Sequence, residues 1–275
     1  MSSASAWPQD RRITIRDLQA ATDRGERWSM LTSYDTLTAG VFEQAGVRAL
    51  LVGDTSAEMV LGYPDTVPVT MDQLVPMVQA VVRGTRTALV VADLPFGSYQ
   101  AGPQAALASA VRQLKEGGAQ AVKLEGGHRV LPQVEALTGA GIPVMGHLGL
   151  TPQSVNVLGG TRRVQGRGDA GEELLADARA LEQAGAFAVV LESVPAELGR
   201  RVSEALHVPT VGIGAGPHCD AQIMVWQDMA GLTGGRLPRF VKRYADTRGV
   251  LFDAASRYVA EVASQSYPDQ AHSYA

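Results

Sequence analysis

The feature that most constrains this chain is a rhythm: a short apolar run, a polar or glycine-bearing turn, then a stretch with helical spacing, repeated along its length. The apolar runs lie at residues 29–33, 49–53, 88–92, 121–124, 142–146, 188–191 and 210–213, with a weaker last one at 229–232. They are apolar almost throughout rather than alternating, as parallel strands covered on both faces are. Helical spacing fills 37–45, 103–117, 172–185 and 195–206 between them, and Gly46, Gly117 and Gly185 stand where a left-handed C-terminal cap is expected. Eight alternating βα units predict a single (β/α)8 barrel, the TIM barrel, with a doubly wound open sheet as the structural rival.

The glycines bear on that rivalry. Gly212-Ile213-Gly214-Ala215-Gly216 runs into Pro217 and falls in the seventh unit, so it is not the dinucleotide fingerprint of a first βα turn. A chain of 275 residues with 45% hydrophobic content is long enough for one large α/β domain, and no linker divides it. Residues 14–23 read as a short amphipathic helix that caps the barrel, with Ile15, Leu18 and Ala21 on one stripe. The expected organisation is a barrel over 14–263, a disordered start at 1–13 and a polar tail at 264–275. The segment from Gly146 to Gly171, rich in Gly and Arg, is the longest irregular stretch, of the kind that usually carries function.

Charge and composition set aside several classes. The net charge is -4 and the basic residues are scattered, so no nucleic-acid footprint appears. No apolar run approaches signal-peptide or membrane-span length, and a soluble cytoplasmic protein is expected. Cys219 is the only cysteine, which rules out an intrachain disulfide.

In a barrel, the C-terminal ends of the strands converge on one face. Those ends read Gly53-Asp54-Thr55, Ala92-Asp93-Leu94, Lys123-Leu124-Glu125, Gly146-His147 and Leu191-Glu192. Lys123 and Glu125 sit two apart, so a strand points both to one side. A single Asp54 reads first as a helix cap, yet charged groups on five successive strand ends read jointly as a site. Asp54, Asp93 and Glu125 offer hard oxygen ligands suited to Mg2+ or a similar divalent ion, and crowded carboxylates without a cation would raise one another's pKa. Lys123 is placed to hold a substrate carboxylate, with Schiff-base chemistry as its rival. Glu192, alone at the end of an apolar strand, is the candidate base. His147 is equally a core histidine or a hydrogen-bonding partner of substrate.

Taken together, Val52-Gly53-Asp54, Ala92-Asp93-Leu94-Pro95, Val122-Lys123-Leu124-Glu125-Gly126-Gly127, the run from Gly146-His147 to Gln153-Ser154, Val164-Gln165-Gly166-Arg167-Gly168 and Gly212-Ile213-Gly214-Ala215-Gly216 resemble the ketopantoate hydroxymethyltransferase family. The resemblance implies a barrel of the phosphoenolpyruvate/pyruvate superfamily, typically a homodecamer. Its reaction would move a hydroxymethyl group from 5,10-methylenetetrahydrofolate to 3-methyl-2-oxobutanoate through a metal-stabilised enolate. By motif match, Asp54 and Asp93 would bind Mg2+ and Glu125 would contact it through water. Thr55 and Lys123 would hold the oxo acid, His147 would contact the product hydroxyl, and Glu192 would take the C3 proton. Three departures stand out: Thr55 replaces a usual Ser, Gly159-Gly160-Thr161-Arg162-Arg163 is one residue longer than usual and lacks an aromatic, and Ala221 stands where Gly is usual between Asp220 and Gln222. A carbon–carbon lyase or mutase of the same superfamily, acting on an oxo acid without folate, is the alternative.

Overall fold

The computed structural model describes residues 7–160 and 163–274. Two compact units are present, Met1–Met224 and Val225–Ala275. The first holds eight strands, β1 (Trp28–Thr32), β2 (Ala49–Val52), β3 (Leu89–Asp93), β4 (Ala121–Glu125), β5 (Val144–Gly149), β6 (Ala188–Glu192), β7 (Thr210–Ile213) and β8 (Ala221–Met224). Each pairs in parallel with its sequence neighbours, and β1 pairs with β8, so the sheet closes into a barrel. Outside run α1 (Ile15–Asp23), α2 (Thr36–Gln44), α3 (Ser56–Met59), α4 (Met71–Gly84) and α5 (Pro103–Arg112). They are followed by α6 (Leu131–Gly139), α7 (Val155–Leu158), α8 (Ala170–Gln183) and α9 (Ala196–Ala205).

The period-two rule sorts the apolar residues into two cores. Val122, Leu124, Val144, Leu148, Val189 and Leu191 face outward and pack with helix residues such as Val134, Ala178 and Leu198. Met30, Leu51, Leu89, Val91, Ala121, Met145, Val190 and Ile223 point inward and fill the barrel. The same inward positions, continued to the C-terminal ends of the strands, are Thr32, Asp93, Lys123, Glu125, His147 and Glu192. One alternation therefore gives an apolar floor and a polar top.

Helix α1 seals the floor. Thr14 and Asp17 form a reciprocal cap at its start, and its Leu18 and Ala21 join the inner core. Residues 7–13, expected to be disordered, are packed instead: Trp7 and Ile13 are buried in the same core, and the Ile13 N–H donates to the Thr87 carbonyl at 2.7 Å. A single Trp and Ile without periodicity left no pattern to read. Residues 1–6 lie outside the described part.

Two further expectations are corrected. The eighth strand is β8 at Ala221–Met224, not 229–232, where Trp226–Met229 is helical. Only Gly214 to Asp220 link β7 to β8, with no helix among them, so the strand arrives earlier than the rhythm predicts. Ala221 is buried there against Trp28 and Val211, its strand partners. Gly46 and Gly185 do take the left-handed conformation, whereas in the third case the left-handed residue is Gly118 rather than Gly117. Helices α4 and α6 add two crossovers that the apolar pattern left unassigned.

The second unit contains α10 (Trp226–Met229) and α11 (Thr247–Ala263), with Asp246 capping α11 through the Gly249 N–H. Helix α11 leaves Val250, Phe252 and Val259 between 65% and 71% exposed. The tail bends into a short 3-10 turn at Gln270–His272. Ala275 lies outside the described residues.

Candidate active site

Strand register brings the charged strand ends together. Asp93 on β3 is level with Lys123 on β4, and Glu125 on β4 is level with His147 on β5. The Lys123 ammonium lies 2.5 Å from Asp93 Oδ1, with both side chains almost wholly buried. The second oxygen of Asp93 accepts the Asp54 N–H at 3.0 Å. Gly53 lets that chain pass: a Cβ there would stand 2.8 Å from Thr55 Oγ1 and 3.5 Å from Asp93 Oδ2. Asp54 does not cap α3, whose N-cap is Thr55 with no side-chain cap bond. Its Oδ2 instead accepts the side-chain N–H of Gln153 at 2.8 Å.

His147 sits between two carboxylates. Its Nδ1 is 3.2 Å from Glu125 Oε1 and its Nε2 is 3.2 Å from Glu192 Oε2, close approaches that lack hydrogen-bond alignment. The candidate base is the most open of this group, its side chain 17% exposed against 4% for His147. Immediately after it, Ser193 takes a left-handed backbone with φ 50°, a conformation that costs a non-glycine residue about 1 kcal/mol. Gly149, with φ 91°, allows β5 to press on this turn, because a Cβ there would meet the Glu192 carbonyl at 2.2 Å. Leu150 N–H closes the contact on that carbonyl at 2.8 Å.

The electrostatics follow from burial and crowding. Burial pushes the Asp54 carboxyl well up, and repulsion from Asp93 and Glu125 pushes it further. For Lys123, burial alone would lower the pKa, but Asp93, Glu125 and Asp54 together hold the ammonium charged and raise it. Glu125 is raised by burial, yet His147, Lys123 and the Gln153 N–H outweigh that and bring it below the usual range. Burial and Lys123 would discharge His147, while Glu125 and Glu192 raise it to about 9. The site thus holds an imidazolium and an ammonium among four carboxyl groups, of which Asp54 is the one pushed toward its neutral form.

Among the described residues, no three of His, Cys, Asp and Glu form a ready-made metal cage. The donor set still fits a hard divalent cation in kind. Asp93 and Glu125 lie close enough to Asp54 to raise its carboxyl, and Glu125 Oε1 is buried without a hydrogen bond. Lys123 already occupies one oxygen of Asp93, so a cation would need further oxygens from water or substrate.

Sequence reasoning missed three buried side chains at this site. Tyr99 donates its hydroxyl to Gln153 Oε1 at 2.7 Å and accepts the Glu125 N–H at 3.2 Å. Gln153 touches both Asp54 and Glu125. Tyr34, buried beside Thr32 and Thr55, has its ionisation suppressed chiefly by burial. Gln153 was visible within the His147 to Ser154 run but drew no role because it is neutral; Tyr99 and Tyr34 carried no signal. Of the departures, Thr55 lies at the site, while Thr161 and Arg162 fall outside the described residues.

Beside the site, a cavity of about 510 Å3 is lined by Val164, Gly166, Arg167, Val194, Leu198 and Arg201 among others. A second, of about 310 Å3, includes Glu58, Asp65, Pro152, Val155 and Arg163. The first adjoins the candidate base along the chain: Val194 is two residues beyond Glu192, and the Gln165 N–H donates to the Ser193 carbonyl at 2.8 Å.

A family model described as ketopantoate hydroxymethyltransferase matches residues 12–270. The chain is 67% identical over 267 residues to the 3-methyl-2-oxobutanoate hydroxymethyltransferase of Frankia alni, covering 97% of this chain and 88% of that one. It is 62% identical to the enzyme of that name from Thermobifida fusca, covering 97% and 95%. The enzyme of that name from Mycobacterium tuberculosis is 59% identical over 263 residues, covering 96% and 93%. Among solved structures, a phosphonopyruvate hydrolase complex with oxalate and Mg++ superposes with TM-score 0.62 at 16% identity, covering 96% of this chain and 92% of that one. A 2,3-dimethylmalate lyase of the PEP mutase/isocitrate lyase superfamily gives TM-score 0.59 at 19% identity, covering 93% and 90%. At such identities the structural likeness speaks for the fold, a TIM barrel, and not for the reaction.

Proposed function

Because the chain belongs to the ketopantoate hydroxymethyltransferase family, an enzyme family of pantothenate biosynthesis, we propose that it converts 3-methyl-2-oxobutanoate to ketopantoate with 5,10-methylenetetrahydrofolate as one-carbon donor. The observation that carries this reading to the residues is the convergence of Asp54, Asp93, Lys123, Glu125, His147 and Glu192 at the top of one barrel.

Asp54, Asp93 and Glu125 are assigned to hold Mg2+ or a similar divalent cation. When bound, that cation draws electron density from the keto and carboxylate oxygens of the oxo acid and makes its C3 proton removable. Lys123 and the Thr55 hydroxyl fix the substrate carboxylate, Lys123 as a point charge kept ionised by its carboxylate neighbours. Glu192 takes the C3 proton, and His147, already charged and 3.2 Å from it, steadies the base and faces the new hydroxyl. The carbanionic C3 then bonds to the donor's methylene carbon as one of its two C–N bonds breaks; the oxygen of water replaces the second nitrogen, giving the hydroxymethyl group, and tetrahydrofolate leaves with both nitrogens protonated. For the donor's anionic glutamate tail, the larger cavity is the better host. It pairs apolar walls with Arg167 and Arg201, and its one acid, Glu197, is engaged by Arg200, whereas the smaller cavity sets Glu58 and Asp65 against Arg163.

The protein is assigned to the cytoplasm; among the described residues no helix is long and apolar enough to cross a membrane. The resemblance implies a homodecamer, and the exposed apolar side chains of α11 fit contact with another copy without fixing the number.

The test is solvent exchange coupled to product formation. Purified protein with Mg2+ should exchange the C3 proton of 3-methyl-2-oxobutanoate with deuterated solvent, and should form ketopantoate only when methylenetetrahydrofolate is added. Glu192→Gln should abolish exchange while retaining oxo-acid binding, because the amide keeps the shape and loses the base. Exchange without ketopantoate would favour the superfamily lyase or mutase reading; no exchange at all would sink both.

A further inference from the structure

Gln153 is neutral, 4% exposed, and placed in the loop after β5 by the 3-10 turn Pro152–Ser154. Its polar atoms converge on the site from a loop that carries neither Asp54 nor Glu125. The side-chain nitrogen donates to Asp54 Oδ2 at 2.8 Å and to the Leu94 carbonyl at 3.0 Å. The backbone N–H donates to Glu125 Oε2 at 3.0 Å. The side-chain oxygen accepts the Tyr99 hydroxyl at 2.7 Å and the Gln100 amide at 3.3 Å. Both N–H bonds and the oxygen of a buried amide are thereby satisfied, which is the condition for a polar group to rigidify its surroundings.

The Leu94 carbonyl decides which way round the amide lies: it can only accept, so the nitrogen faces it at 3.0 Å and faces Asp54 Oδ2 at 2.8 Å. The oxygen is left to the buried Tyr99 hydroxyl at 2.7 Å, which also lies 3.1 Å from the Glu125 carbonyl and accepts the Glu125 N–H. One residue therefore ties one oxygen on each of two carboxylates. The remaining oxygen of Glu125 is buried with no hydrogen bond and has His147 Nδ1 3.2 Å away, and Asp54 Oδ1 accepts no hydrogen bond among the described residues. These are the two oxygens that Gln153 leaves for a ligand.

We propose that Gln153, locked by Tyr99, is a positioning residue that holds Asp54 and Glu125 with one oxygen each presented to a divalent cation. Gln153 itself touches neither cation nor substrate. Metal ligands are typically supported in this way by outer hydrogen bonds, whose loss weakens metal affinity about 10- to 100-fold. This rests on the metal-dependent reading above, and its test is separable from it.

The experiment is a direct titration with Mn2+, followed by the electron paramagnetic resonance signal of the free ion, on wild type, Gln153→Met and Tyr99→Phe. Methionine keeps the volume and loses the side-chain amide that ties Asp54, while the backbone N–H to Glu125 remains; phenylalanine removes the lock and spares Gln153. Gln153→Met should weaken Mn2+ binding about 10- to 100-fold, and Tyr99→Phe should weaken it less, in the same direction. Solvent exchange at C3 should need correspondingly more metal in each variant, with the rate largely recovered at saturation. Unchanged Mn2+ affinity in both variants overturns the proposal, as does a rate loss that no metal concentration restores. Should Gln153→Met fail to fold, Tyr99→Phe alone decides. Wild type that binds Mn2+ but shows no exchange counts against the hydroxymethyltransferase reading and leaves the affinity comparison intact; wild type that binds no Mn2+ overturns both.

Discussion

Arg167 lines the larger cavity and has no carboxylate partner among the described residues, whereas Arg201 beside it is shared with Glu172. If that cavity takes the donor's tail, Arg167→Ala should raise the KM for polyglutamylated methylenetetrahydrofolate about two- to fivefold, the usual reach of an exposed ion pair. C3 exchange, which needs no folate, should be unchanged, and steady-state kinetics at two salt concentrations checks the claim because the effect should fade as salt rises. Single residues also show what a sequence conceals. Lys123 and Glu125 were legible because charge at period two in an apolar run has few explanations, and both do point inward. Gln153, Tyr99 and Tyr34 were not, since a neutral side chain looks alike on a surface and in a site until its partners from other strands are known. Distances between strand ends, such as the 2.5 Å of Lys123 to Asp93, depend on barrel register and have no trace in local pattern.

The elements repeat the lesson at larger scale. Seven strands were readable because buried parallel strands leave continuous apolar runs, while β8 begins Ala221-Gln222-Ile223-Met224 with an exposed Gln222 and lacks a preceding helix. How the elements are joined at the floor was also hidden. Glu43 at the end of α2 accepts the N–H groups of Arg86, Thr87 and Ala88 at 2.6 to 3.0 Å, fixing the turn into β3, and Arg12 donates to Ala88 O from the other side. Burial would raise the Glu43 carboxyl, but those three N–H bonds bring it below its usual value. A depressed carboxyl contributes stability that is fully present above the unfolded pKa and is lost as pH falls through the folded one. Glu43→Gln should therefore cost about 1–2 kcal/mol near pH 7. The gap should close below about pH 4, under the unfolded Glu value, as read by denaturant melts across pH.

At the scale of the whole molecule, the fold was legible and the assembly was not. Alternation of eight βα units predicts a parallel sheet covered by its helices, and the pairing of β1 with β8 closes it into the barrel. An isolated chain gives no comparable rule for what covers α11, whose Val250, Phe252 and Val259 are mostly exposed. Several large apolar side chains on one exposed helix are uncommon on a monomer surface. If they meet another copy, Phe252→Asp combined with Val259→Asp should lower the assembly mass seen by light scattering. C3 exchange per chain should persist, because neither residue belongs to the proposed site. An unchanged mass would remove α11 from the assembly interface.

The stopper of Trp7, Ile13, Leu18 and Ala21 has a consequence for traffic. A barrel packed and stoppered below leaves both reactants to enter from the polar top. If the small oxo acid binds among the strand ends and the far larger folate above it, the folate blocks the way. Arrival should then be compulsory, acid first, and departure should run in reverse, tetrahydrofolate before ketopantoate. A non-reactive folate analogue should accordingly inhibit uncompetitively against 3-methyl-2-oxobutanoate; a noncompetitive pattern would mean that the doorway admits them in either order.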